Sequence, residues 1–139
     1  MIPVVAMRGQ APRLPRESAL TRWFWQGLAE GQWQTSCCGQ CGRVSFPPRR
    51  DCPACWAGDM RWTPLAPRGR LYSRTVIRAV PQQFVGHAPL DIGVVDLDDG
   101  VRLLCWLVDG APALALAAAV EIVALRFADG ALFAARPAA

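Results

Sequence analysis

The chain of 139 residues contains no lysine: all fifteen basic residues are arginines. It has a single histidine, His87, and a single tyrosine, Tyr72. His87 sits in Gly86-His87-Ala88-Pro89 with no serine or cysteine beside it in sequence, so no nucleophile–base dyad can be read there. Paired carboxylates, a glycine-rich phosphate loop and the zinc-deaminase signature are all missing, which removes the commonest hydrolytic and nucleotide chemistries. Long apolar runs are missing too. The longest, Ala111 to Val120, is ten residues, where a bilayer-spanning helix needs about 20. The opening residues Met1 to Arg8 place their charge after a very short apolar stretch, the reverse of a secretory leader. A cytoplasmic protein with reduced thiols is therefore expected.

In that setting the cysteines point to metal or redox chemistry before disulfides. Four of the six fall in two matched pairs, Cys38-Gly39-Gln40-Cys41 and Cys52-Pro53-Ala54-Cys55. Two such knuckles can bring four thiolates to the corners of a tetrahedron, the geometry of a structural Zn²⁺. With four protein ligands no position is left open for catalysis. Iron accepts the same ligands and is the chemical alternative. Cys37 would give a longer spacer than Cys38. Cys38 is the better ligand because Gly39 and Gly42 then occupy the tight-turn places. Cys37 is read as a bystander and Cys105, beside Trp106, as a small buried hydrophobe.

Charge divides the chain. Residues 1–79 hold twelve arginines against four acids, a net of +8, and residues 80–139 hold three arginines against seven acids, a net of −4. A GC-rich codon bias accounts for arginine replacing lysine but not for this asymmetry. The basic surface thus belongs to the front half, where arginine forks suit phosphate.

Residues 1–17, with prolines and arginines and no apolar period, read as a flexible lead segment. Residues 18–32 read as an amphipathic helix: Leu20, Phe24 and Leu28 recur at helical spacing, Ser18 or Thr21 can cap the start, and Gly31 suits the stop. Its aromatic load, Trp23-Phe24-Trp25, fits packing on the cysteine module or contact with a partner. Residues 33–66 read as the zinc ribbon. Residues 67–137 read as a barrel: strands are expected at 69–80, 92–97, 101–108, 120–127 and 131–135, with turns at Asp98-Asp99-Gly100, Asp109-Gly110 and Asp129-Gly130 and a short helix over 113–119. The fold class is mainly β, with an N-terminal helix, a rubredoxin-like zinc ribbon and a five-stranded OB-fold barrel.

A longer set of residues, Phe24-Trp25, Cys38-x-x-Cys41-Gly42, Phe46-Pro47-Pro48-Arg49, Cys52-Pro53-x-Cys55, Trp62, Gly69 to Thr75 and Phe133-x-x-Arg136-Pro137, resembles the DUF35 family over roughly residues 20–137. The resemblance implies an acyl-CoA-binding accessory subunit that joins a thiolase-like or other CoA-thioester enzyme and helps form its CoA channel, the catalytic residues lying on that partner. Two places depart from the family pattern: Pro89-Leu90 stands where Pro-Tyr is frequent, and Ala118-Ala119 where a glycine is frequent.

On that reading Arg49 and Arg50, held outward by Pro47-Pro48, are the candidates for CoA phosphates. Phe46 is a candidate for the adenine or pantetheine arm, and Arg74 a further basic contact. The metal ligands are Cys38, Cys41, Cys52 and Cys55. The competing class is a nucleic-acid module, since zinc ribbons and OB folds both serve nucleic acids. Such a barrel should carry basic and aromatic side chains along its strands; this one is net acidic, which favours the CoA reading.

Overall fold

The computed structural model describes residues 1–138. Among the described residues one α-helix leads into a small three-stranded sheet, which leads into a closed barrel. The helix, α1, spans Arg22–Ala29. Both expected caps take part in its start: the Thr21 N–H donates to Ser18 Oγ at 3.1 Å, and the Ser18 N–H donates to Thr21 Oγ1 at 2.8 Å. At the other end Gly31 turns at φ +84° and donates to the Leu28 carbonyl, as a left-handed helix stop requires. The Arg126 guanidinium, reaching from the barrel, donates to the Ala29 carbonyl, placing a cation at the negative end of the helix.

The small sheet has order β3-β2-β4, from β2 (Gln34–Cys38), β3 (Val44–Ser45) and β4 (Met60–Pro64), all antiparallel. The barrel strands are β5 (Arg68–Ile77), β6 (Leu90–Leu97), β7 (Arg102–Leu107), β8 (Ala119–Phe127) and β9 (Gly130–Pro137). They pair in the order β5-β6-β7-β9-β8 and close where β8 meets β5 at Arg68–Arg70. This is the five-stranded OB arrangement. Alternation sets the inner face: Leu71, Val95, Val120, Ile122 and Ala135 are fully buried. Gly69 is required where β5 crosses β6, because a Cβ there would lie 2.2 Å from the Asp96 carbonyl oxygen.

Two sequence expectations are corrected. Residues 1–17 do not lie loosely throughout. Val4–Ala6 form a strand, β1, paired in parallel with Ala124–Arg126 of β8, and Ile2 is buried. The reason is an edge left open: β5 covers β8 only as far as Glu121, and β1 covers the stretch beyond. The alanine-rich segment 113–119 is not a helix. A single 3₁₀ turn spans Ala111–Ala113, and Ala117 adopts φ +70°. Alanine favours helix, but the chain here is anchored on both sides of a carbonyl pair: Leu71 donates to the Ala118 carbonyl and Ala117 to the Leu71 carbonyl.

Candidate functional site

The four paired cysteines converge. Their Sγ atoms all lie within 4.8 Å of one another, with Cys38–Cys55 at 3.6 Å and Cys41–Cys52 at 3.5 Å. A disulfide would need about 2.05 Å, whereas four sulfurs held about 2.3 Å from a central Zn²⁺ stand about 3.8 Å apart. The donor set and spacing therefore fit a closed tetrathiolate zinc site. Cys37 is not part of the cluster, and its thiol donates to the Gly42 carbonyl.

Two copies of one backbone turn build the centre. In the first knuckle the Cys38 N–H donates to the Arg43 carbonyl and the Gly42 N–H to the Cys38 carbonyl; in the second, Cys52 donates to Ala57 and Trp56 to Cys52. The left-handed position is Gly42 in the first (φ +81°) and Trp56 in the second (φ +63°). The turns aim amides at sulfur. The N–H groups of Cys41 and Gln40 hold the Cys38 thiol below its ordinary pKa. Those of Cys55 and Ala54, outweighing burial, draw Cys52 down to about 6. The Ala57 amide also favours the Cys55 thiolate, but burial and the bonds to Cys38, Cys41 and Cys52 outweigh it and push Cys55 up to about 12. Four adjacent thiols do not ionise together unaided; a divalent cation supplies the missing positive charge.

Beside the ribbon lies a cleft of about 550 Å³, walled by Arg43, Ser45, Phe46 and Arg49 on one side and Asp99 and Arg102 of the β6–β7 hairpin on the other. Asp99 is engaged as a clasp, accepting from the Ala66 and Val101 amides. Ser45 Oγ is buried here without a hydrogen-bond partner among the described residues. Arg102 donates to Asp96 at 2.6 Å and stacks over Tyr72 at 3.8 Å.

The sequence-selected residues separate. Arg49 and Phe46 both border the cleft. The Arg49 side chain is exposed, and its amide donates to Ser36 Oγ. Phe46 is half-buried within a five-ring seam with Phe24, Trp25, Trp33 and Phe133, its centroid 5.6–5.9 Å from Phe24, Trp33 and Phe133. Its ring is thus the floor of the cleft, not a free platform. Arg50 borders a separate shallow depression of about 370 Å³ with Leu20, Pro48 and Trp56, which Arg49 also touches. Arg74 is on neither; it lies exposed on the distal half of β5.

Of the helix aromatics Phe24 is buried, Trp25 stacks on Phe133, and Trp23 alone is 69% exposed. Three cleft residues escaped sequence reasoning, Arg43, Ser45 and Arg102. Only Arg43, next to the first knuckle, carried a signal, because nothing local tells that the β6–β7 hairpin faces the ribbon. Cys105 is buried, and burial raises its thiol to about 12.

Comparison with known proteins bears on both halves. Residues 25–61 match the family model described as the ChsH2 rubredoxin-like zinc ribbon domain, and residues 62–125 match the ChsH2 C-terminal OB-fold domain. Benzoylsuccinyl-CoA thiolase subunit BbsA of Thauera aromatica is 35% identical over 54% of this chain and 50% of its own length. DUF35 domain-containing scaffold proteins of Methanocaldococcus jannaschii and Methanothermobacter thermautotrophicus are 33% and 36% identical, over 54% of this chain in each case and 54% and 57% of their own lengths. The matches thus span about half the length of these relatives. Among solved structures, a chain of the Ltp2-ChsH2(DUF35) aldolase superposes with a TM-score of 0.80 at 24% identity, covering 91% of this chain and all of that one. A DUF35 protein of unknown function from Sulfolobus solfataricus superposes with a TM-score of 0.58 at 19% identity, over 86% of each chain. With ribbon and barrel models matched in tandem, and the same two-part fold found in a DUF35 chain, the protein belongs to the DUF35 family of zinc-ribbon/OB-fold proteins.

Proposed function

We propose that this chain is a non-catalytic accessory subunit of an enzyme that works on CoA thioesters, a thiolase-like one in the first instance. In this reading the ribbon–barrel cleft receives the phosphate-bearing end of CoA. The observation that carries it is the cleft itself, which Arg43 and Arg49 line. Arginine forks bind phosphate bidentately. The name of the Thauera relative, a thiolase subunit, supplies the class of partner. The zinc centre has no open coordination position in this arrangement; it fixes the loop that carries Arg43 and Arg49 against the barrel.

Nucleic-acid binding fits the barrel less well. On β6 the outward strand positions include Asp96, which holds Arg102, and Arg102 in turn covers Tyr72. A single-strand-binding barrel presents bare aromatic rings and unpaired cations instead. The test is co-expression with thiolase-like enzymes of the same source, then purification and assay of each protein alone and together. Turnover that needs both chains, with CoA affinity falling at least tenfold in Arg49→Glu, is expected. Recovery of no CoA-dependent enzyme, or tight salt-sensitive binding to single-stranded DNA or RNA, would overturn it.

A further inference from the structure

The barrel leaves one strand edge open. β5 runs from Arg68 to Ile77, but β8 pairs only with Arg68–Arg70, and the last bonds on that side are made by Leu71 to Ala117 and Ala118. From Tyr72 to Ile77 the edge has no backbone partner among the described residues, while the opposite edge stays paired with β6 as far as Leu90.

The register tells which groups are free. The Leu97 amide bonds to Val101, on the β7 side, so by alternation Val94, Ile92 and Leu90 face β5. Their partners Ser73, Thr75 and Ile77 are therefore engaged, and the N–H and C=O groups of Arg74 and Val76 point to solvent. The bulge at Tyr72 is what switches the alternation from Leu71, whose polar groups face β8.

Open edges of this length are normally blunted. Here Thr75-Val76-Ile77 is β-branched, lacks proline, and exposes Val76 and Ile77 at 42% and 40%. Arg74 and Val76 share one face, and Arg78 follows at the next place of the same alternation. The ion pairs among the described residues are Arg61–Asp59, Arg102–Asp96 and Arg136–Glu121, so Arg74 and Arg78 are in none of them; Asp91 of β6, opposite Val76 on the same face, pairs with neither. Self-pairing of two such edges would gather four unpaired guanidinium groups on one short ribbon, which like-charge repulsion opposes.

We propose that Tyr72–Ile77 is a docking edge that takes an extended acidic segment of a protein partner as an added antiparallel strand. The carboxylates of that segment face Arg74 and Arg78, with an apolar residue between them facing Val76. Only the identity of the protein supplying the segment rests on the accessory-subunit reading; the edge can be probed by itself.

The probe is the capped peptide Thr-Glu-Thr-Val-Thr-Glu-Thr, compared with its Glu-to-Lys counterpart and with a version N-methylated at the valine and both glutamates, the residues whose amides face β5. Binding is read by fluorescence anisotropy, and amide exchange is followed at Arg74 and Val76. Protection of those two amides by the acidic peptide is expected, with at least tenfold weaker binding of the other two peptides. Val76→Pro removes an edge donor without touching the β6 ladder and should lose the peptide at unchanged melting temperature. Arg74→Glu combined with Arg78→Glu should switch preference to the Lys peptide. Binding without protection of Arg74 and Val76, equal binding of the N-methylated peptide, or concentration-dependent self-association abolished by Val76→Pro would each overturn the proposal, the last in favour of a second copy. Loss of CoA binding or of a thiolase-like partner would leave these readouts in place.

Discussion

The ribbon and the barrel solve the same problem with different means. The barrel closes its ladder and fills the interior with aliphatic side chains, Leu71, Val95, Val120 and Ile122 among those wholly buried. The ribbon buries little carbon. Its buried positions between the strands are Thr35, Ser36, Ser45 and Pro48 with Cys38 and Cys52, its large buried apolar side chains Trp33 and Leu65 belong to the cluster shared with the barrel, and β3 is only two residues long. A module this small cannot offset its conformational entropy by apolar burial. Two attachments hold it: the tetrathiolate centre within, and the five-ring seam that joins α1 (Phe24, Trp25), the ribbon (Trp33, Phe46) and β9 (Phe133). The lesson is that the arginine-lined cleft depends on the weaker half. Both Arg43 and Arg49 are ribbon residues, and the barrel only supplies the facing wall.

Changes that attack one half and spare the other sharpen this contrast. The largest effect is expected from Cys52→Ser. Zinc content should fall from a single ion per chain to none, and the ribbon amides should exchange freely; retained stoichiometry by elemental analysis would refute the ligand assignment.

Next comes Phe24→Ala, which empties the middle of the seam. A cost of about 3–5 kcal/mol is expected in chemical denaturation. The single transition should also split in two, because the ring tying ribbon to barrel is gone. Smaller is Glu121→Gln. Arg136 donates to Glu121 at 2.7 Å across β8 and β9, and both side chains are mostly buried. Removing the charge should cost about 1–2 kcal/mol and lower the melting temperature of the barrel without changing zinc content.

The smallest effect has the opposite sign. Trp56 holds the left-handed position that glycine fills in the sister knuckle, with its ring 79% exposed. Trp56→Gly should leave zinc bound and stability unchanged or raised by up to about 1 kcal/mol. A clear loss would show that the exposed ring packs more than its exposure indicates.

What the sequence made legible follows the range of the forces involved. The cysteine centre was readable because a knuckle is local: spacing and the glycine at position 42 decide it. Barrel strands were readable because alternation persists over several residues, as in β6 and β7. Pairings of long range were not. Val4–Ala6 is too short to announce a strand, and its partner Ala124–Arg126 lies at the other end of the chain. Trp23, Phe24 and Trp25 look alike in sequence, yet consecutive helical positions point in different directions, so one is buried, one half-buried and one exposed. Arg74 and Arg49 look alike in sequence as basic residues of the same half, and only the strand that carries Arg74 away from the ribbon separates them. Over 113–119 the helical propensity of alanine is overridden by two backbone bonds to Leu71.

Amide exchange resolved along the chain, before and after the metal is stripped by a chelator under reducing conditions, tests the division of labour most directly. Protection should collapse across residues 34–64 while β5 to β9 keep theirs, and returning Zn²⁺ should restore the ribbon. Unchanged protection in the ribbon, or simultaneous loss throughout the barrel, would contradict it.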